Sequence, residues 1–216
     1  MKGFVVSSVT LFYALTGHCQ VKFGVFGGIN MSSAGYSVKG QKQSTDYKYG
    51  FHAGIGYKVP FDGHLYFSPA ATYRMLGYKV MLNQPSFPPD LLATDNDTRF
   101  HELDLDALLQ FDFGRGTSHF FIKLGPTFNF ILWGREKYNL ATGDYVDRPM
   151  KFSVVSGYGR YNVSASTQLG FETARGFVFY VHYMPELFSM NNEDKGPTIQ
   201  NHLMGITVGK FIQAIK

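Results

Sequence analysis

Three absences narrow the class of protein that this sequence encodes. The single cysteine is Cys19, so residues 20–216 contain none and no disulfide stabilises them. After the amino-terminal segment, no apolar run approaches the ~18 residues that a membrane-spanning helix needs, which excludes an α-helical membrane protein. The sequence has no basic tract and a net charge of only +4, so we expect no nucleic-acid partner.

The amino-terminal segment has the three-part organisation of a secretory signal peptide. A basic start, Met1-Lys2-Gly3, precedes the apolar stretch Phe4–Leu15, and Gly17 and Cys19 are small residues placed to allow cleavage before Gln20. We therefore expect residues 1–19 to be removed on export. Residues 20–216 then form one domain. Lipid attachment at Cys19 is the alternative interpretation.

Aromatic residues and glycines are abundant, with 14 Tyr, 21 Phe and 24 Gly, which favours strands over helices. Successive side chains of a strand point to opposite faces. From Tyr47 to Val59 every odd position is apolar or aromatic, and every even position is polar or glycine. Similar alternation along the chain predicts eight strands, at approximately Val21–Met31, Tyr47–Val59, Leu65–Met75, His101–Phe113, Phe120–Trp133, Tyr161–Glu172, Phe177–Leu187 and Asn201–Phe211. The register of the last strand is ambiguous.

The connections between these strands alternate between long and short. Residues 32–46, 76–100, 134–160 and 188–200 form long connections, whereas the intervening turns have about five residues, as in outer-membrane barrels with short periplasmic turns and long external loops. Glycines on the polar face suit a narrow lumen, and bulky residues on the other face suit lipid. We therefore predict an all-β fold, an eight-stranded antiparallel transmembrane β-barrel. A soluble, lipocalin-like exported barrel is the alternative.

Three segments resemble the PorT-like or "porin family" outer-membrane barrels of Bacteroidetes-type bacteria. They are Phe67–Tyr73, Phe121–Pro126 and Gly205–Phe211. The resemblance covers nearly all of the chain after the leader. It implies a bacterial outer-membrane location and, from the group's namesake, an accessory role in secretion across that membrane.

Charged residues on the polar face form the predicted site. We expect a lumen charge network of Lys48, Arg74, Glu102, Asp104, Asp106, Asp112 and Lys123. Unpaired charges in a low-dielectric interior are costly, so acids and bases are expected to pair and to fill a bore that is narrow in an eight-stranded barrel. A selectivity ring or a proton path is the alternative. The sequence indicates no catalytic, cofactor-binding or metal-binding residues.

The leading functional hypothesis is a non-enzymatic, monomeric barrel with a structural, adhesion or secretion-accessory role. Its partners would be outer-membrane lipid, lipopolysaccharide or an envelope or secretion-machinery protein. Loop cations are candidates for lipopolysaccharide phosphates: Lys39, Lys42, Arg135, Lys137, Arg148 and Lys151. The aromatic segment Phe152–Tyr161 is the first place to expect a protein partner. The alternatives are a passive small-solute channel and a rim-sited enzyme that uses His52 or His182.

The prolines at outward positions, Pro69, Pro126 and Pro185, cannot donate to a sheet ladder. We expect each of them to mark a β-bulge near a rim of the barrel.

Overall fold

The computed structural model describes residues 21–114 and 116–213, so the predicted leader and Cys19 lie outside it. This part of the chain consists of ten strands. They are β1 (Lys22–Val38), β2 (Gln41–Lys42), β3 (Ser44–Asp62), β4 (Leu65–Met81), β5 (Asp95–Phe113), β6 (His119–Asn139), β7 (Tyr145–Pro149), β8 (Tyr161–Glu172), β9 (Phe177–Pro185) and β10 (Thr198–Gln213). No helix in the described ranges is long and apolar enough to span a membrane.

Eight of these strands form a closed antiparallel ring. Consecutive long strands pair with each other, and β10 pairs with β1 from Lys22↔Gln213 to Ser37↔Thr198. Closure leaves no sheet edge with a row of unpaired backbone groups. The short strand β2 pairs with β1, and β7 pairs with β6. Neither of them belongs to the ring. The predicted eight-stranded antiparallel barrel is confirmed.

The two faces of the sheet point as the alternation predicts. On β3, Phe51 and Ile55 are exposed on the outside, while His52 and Lys58 are buried in the lumen. The register of β10 is also settled, because its outward residues include Met204, Ile206 and Val208 and its inward ones include Leu203, Thr207 and Phe211. A barrel with its apolar face inside, the lipocalin-like alternative, is wrong.

The strands at the long-loop end run further than predicted. β1 continues to Val38, β4 to Met81 and β6 to Asn139, while β5 begins at Asp95, so the connections at this end are shorter than expected. The physical reason is a change in the polarity of the two faces. Beyond the predicted ends, most of the large inward side chains are apolar and several of the outward ones are charged, so a pattern defined by outward apolar residues stops too early.

The inward side chains of this extension form a hydrophobic core. It is contributed by most strands of the ring and by the loops above them. Its fully buried large side chains include Tyr36, Tyr78, Phe100, Ile131, Tyr138, Tyr158, Met184, Met190 and Ile199. We call this cluster the upper core, and it fills the bore at the long-loop end.

The prolines do not produce the predicted bulges. The pairing register between β4 and β5 is unchanged across Pro69, the one between β5 and β6 is unchanged across Pro126, and Pro185 ends β9. Register shifts occur instead between Tyr47 and His52 of β3, at its turn to β4, and between His101 and Glu102 of β5. The prediction of bulges from proline alone was wrong. A strand can lose one backbone hydrogen-bond donor to proline and keep its pairing register, with no extra residue inserted.

The bulge in β3 is bridged by side chains from β1. Asn30 Nδ2 donates to the Met75 carbonyl of β4 at 3.0 Å. Ser32 Oγ donates to the Gly77 carbonyl at 2.8 Å and accepts from the Gly77 N–H at 2.9 Å. These bonds satisfy backbone groups of β4 that β3 leaves unpaired, so the ring stays closed at this point.

Candidate functional site

The lumen is filled by layers of side chains, beginning at the short-turn end with an ion-pair cluster. Lys58 Nζ lies 2.6 Å from Asp112 Oδ2 and 2.7 Å from Glu172 Oε2. Lys22 Nζ contacts Glu172 Oε1 at 2.7 Å, and His119 Nε2 lies 2.9 Å from Asp112 Oδ2. Lys58 is 1% exposed, so its charge depends on both carboxylates for compensation.

This cluster has the ligand types of a metal site but holds its own cation. The carboxylates of Asp112 and Glu172 and the His119 ring offer ligand atoms within 4.8 Å of one another. Lys58 Nζ lies within 3.3 Å of all three groups. An ammonium group therefore occupies the position from which a metal ion would contact these ligands, and the arrangement fits a salt-bridge cluster.

An aromatic layer follows, formed by Phe121, Val178, Tyr180 and Phe211. Lys123 Nζ lies 5.4 Å from the centre of the Phe121 ring and 5.5 Å from that of Tyr180, distances suited to cation–π attraction. Gly170 makes room for this layer, since a Cβ there would lie 2.5 Å from Phe121 Cζ. The cavity beside Lys123 has a volume of only about 20 Å³, which is room for about one water molecule.

The middle layer is a hydrogen-bonded network around Arg74. Its Nε donates to Asp104 Oδ2 at 2.8 Å, and Asn129 Nδ2 donates to the other carboxylate oxygen at 2.8 Å. Arg74 Nη1 lies 3.2 Å from His182 Nε2. A guanidinium has no acceptor, so Nε2 of His182 accepts and the ring carries its proton on Nδ1, toward Thr207.

His52 joins the same network from the opposite side of the lumen. Its Nε2 is 2.9 Å from Thr207 Oγ1, and its Nδ1 is 3.3 Å from Asn30 Oδ1. The His52 and His182 rings meet edge to face, with centroids 5.0 Å apart. Both histidines are buried, and neither lies at a rim of the barrel.

Acidic side chains lie between the middle layer and the upper core. Glu102 is 1% exposed, and within the described residues its Oε2 has no hydrogen-bond partner. Glu186 accepts from the Asn201 backbone N–H at 2.8 Å and from Asn201 Nδ2 at 3.0 Å. Asp106 lies instead on the short-turn side of the middle layer and accepts from Thr127 Oγ1 at 2.6 Å. Most of these carboxylates are therefore bonded to neutral donors and not to cations.

A buried polar bridge links the upper core to a charged side chain. Tyr158 Oη donates to Glu136 Oε2 at 2.8 Å, and Arg148 Nε donates to Glu136 Oε1 at 2.8 Å. Burial raises the pKa of Tyr158 well above its ordinary value, and nearby Tyr78 and Glu136 add to the effect. The phenol therefore stays protonated and acts as the donor. Through this bridge the third long loop is fixed to the top of β6.

The structure places six of the seven predicted network residues in the lumen, but in separate layers. Asp112 belongs to the first layer, Lys123 to the aromatic layer, and Arg74, Asp104 and Asp106 to the middle, with Glu102 above them. Lys48 does not join them. It pairs with Asp97, which also contacts exposed Lys79 on the outside of the barrel. The β3 bulge lies between Lys48 and the lumen-facing His52.

Sequence reasoning missed several residues of the network. Lys58 and Glu172 occupy inward positions of the alternation but were not assigned to the site, although they form its most buried ion pair. The alternation itself was sufficient to find them. Glu136 had no such signal, because Leu132 is an extra residue of β6 opposite His101 and Glu102, and it reverses which positions of β6 point inward.

The loop end carries exposed apolar and cationic groups. Val154 is 85% exposed and Val155 is 79% exposed at the tip of the third long loop, within the segment expected to meet a partner. Arg160 lies over the Phe152 ring, with 4.6 Å from its guanidinium carbon to the ring centre. Of the candidate loop cations, Lys39, Lys42 and Lys151 are exposed, whereas Arg148 is tied to Glu136.

A filled, closed ring with an apolar outer surface defines an outer-membrane β-barrel. Residues 19–192 match the family model described as outer membrane protein beta-barrel domain. The chain belongs to this family and is an outer-membrane protein. No curated protein matches the sequence.

Solved structures of similar fold include three bacterial barrels. OprG from Pseudomonas aeruginosa has a TM-score of 0.51 and 13% identity, and the match covers 92% of this chain and 99% of OprG. Ail, the attachment invasion locus protein of Yersinia pestis, in complex with sucrose octasulfate, has a TM-score of 0.46 and 13% identity, over 89% and 99% of the two chains. Neisserial surface protein A has a TM-score of 0.44 and 12% identity, over 87% and 96%. The likeness to OprG shows a shared fold.

Removing the central cation tests the lumen network. Arg74→Met leaves Asp104 buried without its charge partner, so we expect a loss of about 3–5 kcal/mol in the free energy of unfolding. This loss is measured by urea unfolding in detergent, with the folded fraction read from heat-modifiable migration in gels. The matched control is Lys79→Met, because that side chain is 55% exposed and its loss is expected to cost at most about 1 kcal/mol.

Adding Asp104→Asn to Arg74→Met removes the orphaned charge, and we expect part of the stability to return. Equal stability of Arg74→Met and the Lys79→Met control would contradict a network held together by buried charge pairing.

Proposed function

We propose that this protein is a non-conducting outer-membrane barrel that acts through its external surface, in a structural, adhesion or secretion-accessory role. The observation that carries the proposal is the filling of the bore. An ion-pair cluster, an aromatic layer, a hydrogen-bonded network and the upper core occupy it in succession. A lumen filled in this way offers solutes no continuous water-filled path, whereas the loops remain accessible.

The external surface has the features of a binding surface. Exposed Val154 and Val155 project from a loop whose base is fixed by the Tyr158–Glu136 bond. A rigid barrel that presents apolar loop tips supports recognition by loops more than by the wall. The partner we propose is another envelope protein, and the protein itself is proposed to act as a monomer. The likeness to PorT-like sequences favours a component of a secretion machinery.

A catalytic role has less support. Both candidate histidines are engaged in the buried network, His52 with Thr207 and Asn30 and His182 with Arg74. Neither faces a solvent-filled cleft at the rim. We propose that both are structural residues and that the protein needs no cofactor.

Export by a cleaved leader is part of the proposal. The amino terminus of protein recovered from outer membranes tests it, and we expect Gln20 as the first residue. A lipid-modified Cys19 at the amino terminus would contradict it.

Planar-bilayer recording tests the non-conducting barrel. Purified, heat-modifiable protein is expected to give no stable conductance, because the layers leave no continuous bore, while a general porin in the same bilayers gives stepwise openings. Stable, reproducible steps from the folded protein would overturn the proposal and favour the channel alternative. The recordings are to be repeated with Val154→Ser/Val155→Ser, which alters only the loop tip and is expected to be equally silent.

A further inference from the structure

The outward face of β4, β5 and β6 changes from aromatic to cationic within one step of the ladder. Met75, His101 and Trp133 lie opposite one another on the three strands. The next outward row toward the loops consists of Gly77, Arg99 and Arg135, and the row after that of Lys79, Asp97 and Lys137. Toward the short turns, the outward side chains are apolar, including Leu105, Leu109 and Phe111.

His101 and Trp133, together with Tyr73 one outward position below, form what we call the aromatic row, and it has the character of a membrane interface. His101 stacks on Trp133 with ring centroids 4.9 Å apart and on Tyr73 at 5.8 Å, and Tyr73 Oη lies 2.6 Å from His101 Nδ1. Trp133 is 53% exposed on the outside of the barrel. Amphipathic rings of this kind mark the level of lipid headgroups. The cationic rows therefore begin where the phosphates of the outer leaflet lie.

The two arginines face each other across neighbouring strands. Arg99 is directly opposite Arg135 in the ladder, and like charges in that relation are destabilising. The Arg99 guanidinium has no hydrogen-bond or ion-pair partner in the part of the chain that the structure describes. On its other side lies Gly77, over which the aliphatic part of Lys48 packs, since a Cβ at Gly77 would lie 3.1 Å from Lys48 Cδ. An anion between the two guanidinium groups would relieve the repulsion.

Acidic side chains near this surface are fewer than the cationic ones, so the surface keeps a net positive charge. Arg135 Nε donates to Asp147 Oδ1 at 2.6 Å, and Lys137 Nζ is 3.5 Å from Asp147 Oδ2. That hydrogen bond from Arg135 lowers the pKa of Asp147. Asp97 contacts both Lys48 and Lys79. Asp46 lies opposite Lys79. The row of Gly77, Arg99 and Arg135, which lies next to the aromatic residues, contains no acidic residue.

We propose that Arg99 and Arg135, flanked by Lys79 and Lys137, bind the phosphate groups of an outer-leaflet lipid while the aromatic row below contacts its acyl chains. Guanidinium groups match phosphate oxygens with paired hydrogen bonds. Lys79 and Lys137 supply further positive charge from the row above. This site is independent of any partner that the loops recognise, so it goes beyond the proposed function.

The only tryptophan of the chain lies beside this site, which gives a direct readout. Folded protein in neutral-detergent micelles is titrated with a phosphatidate whose acyl chains carry bromine, a quencher of indole fluorescence. The reference lipid is a diacylglycerol with the same brominated chains and no phosphate. We expect Trp133 to be quenched at a much lower fraction of phosphatidate than of diacylglycerol.

Arg99→Gln/Arg135→Gln is the test variant. Each cation near a lipid headgroup contributes to the affinity for the phosphate. Removing both arginines is therefore expected to weaken phosphatidate binding roughly thirtyfold and to leave diacylglycerol binding unchanged. Lys42→Gln/Lys151→Gln removes the same charge from exposed loop positions and is expected to bind as the unmodified protein does. Arg99→Gln alone preserves the Arg135–Asp147 pair and is expected to show an intermediate loss.

Two outcomes would overturn the proposal. Equal quenching by phosphatidate and diacylglycerol would show that the phosphate is not recognised. Inorganic phosphate that displaces phosphatidate at comparable concentration would assign the site to a free anion and not to a lipid. Heat-modifiable migration of each variant confirms that it is folded before its binding is measured.

Discussion

The narrowness of an eight-stranded ring is the constraint on which the rest of this structure depends. Once β10 pairs with β1, the interior is only wide enough for side chains. Inward positions must therefore be small, paired or packed against one another. Gly170 leaves space for the Phe121 ring, and Lys58 lies between Asp112 and Glu172. From the short turns to the loops, an ion-pair cluster, an aromatic layer, a polar network and the apolar upper core fill the bore in turn.

Much of this architecture could be predicted from period-two alternation, because lipid requires large apolar side chains outside and the bore requires small or polar ones inside. The alternation was less informative at two kinds of place. Toward the loops, large apolar side chains also occupy inward positions, so the ends of the strands and the upper core around Phe100 were missed. At bulges an extra residue reverses the parity, which is why Lys48 lies away from the predicted network.

In the proposed function, a filled bore leaves the outside of the barrel as the surface that acts. Two outward regions stand out there: the loop tip with Val154 and Val155, and the opposed pair of Arg99 and Arg135 beside Trp133. The first lies beyond the membrane and the second at its interface. Membership of the outer membrane protein β-barrel family accounts for the scaffold that holds both.

Cysteine accessibility tests the filled bore most directly, because residues 20–216 contain no native cysteine. Thr98→Cys places a thiol in the fully buried interior near the upper core, and Thr142→Cys places one in an exposed loop. With a small, membrane-impermeant maleimide added to folded protein in vesicles, the account predicts rapid labelling at position 142. Position 98 is expected to be labelled only after denaturation. Labelling of both positions at similar rates in the folded state would contradict a sealed lumen.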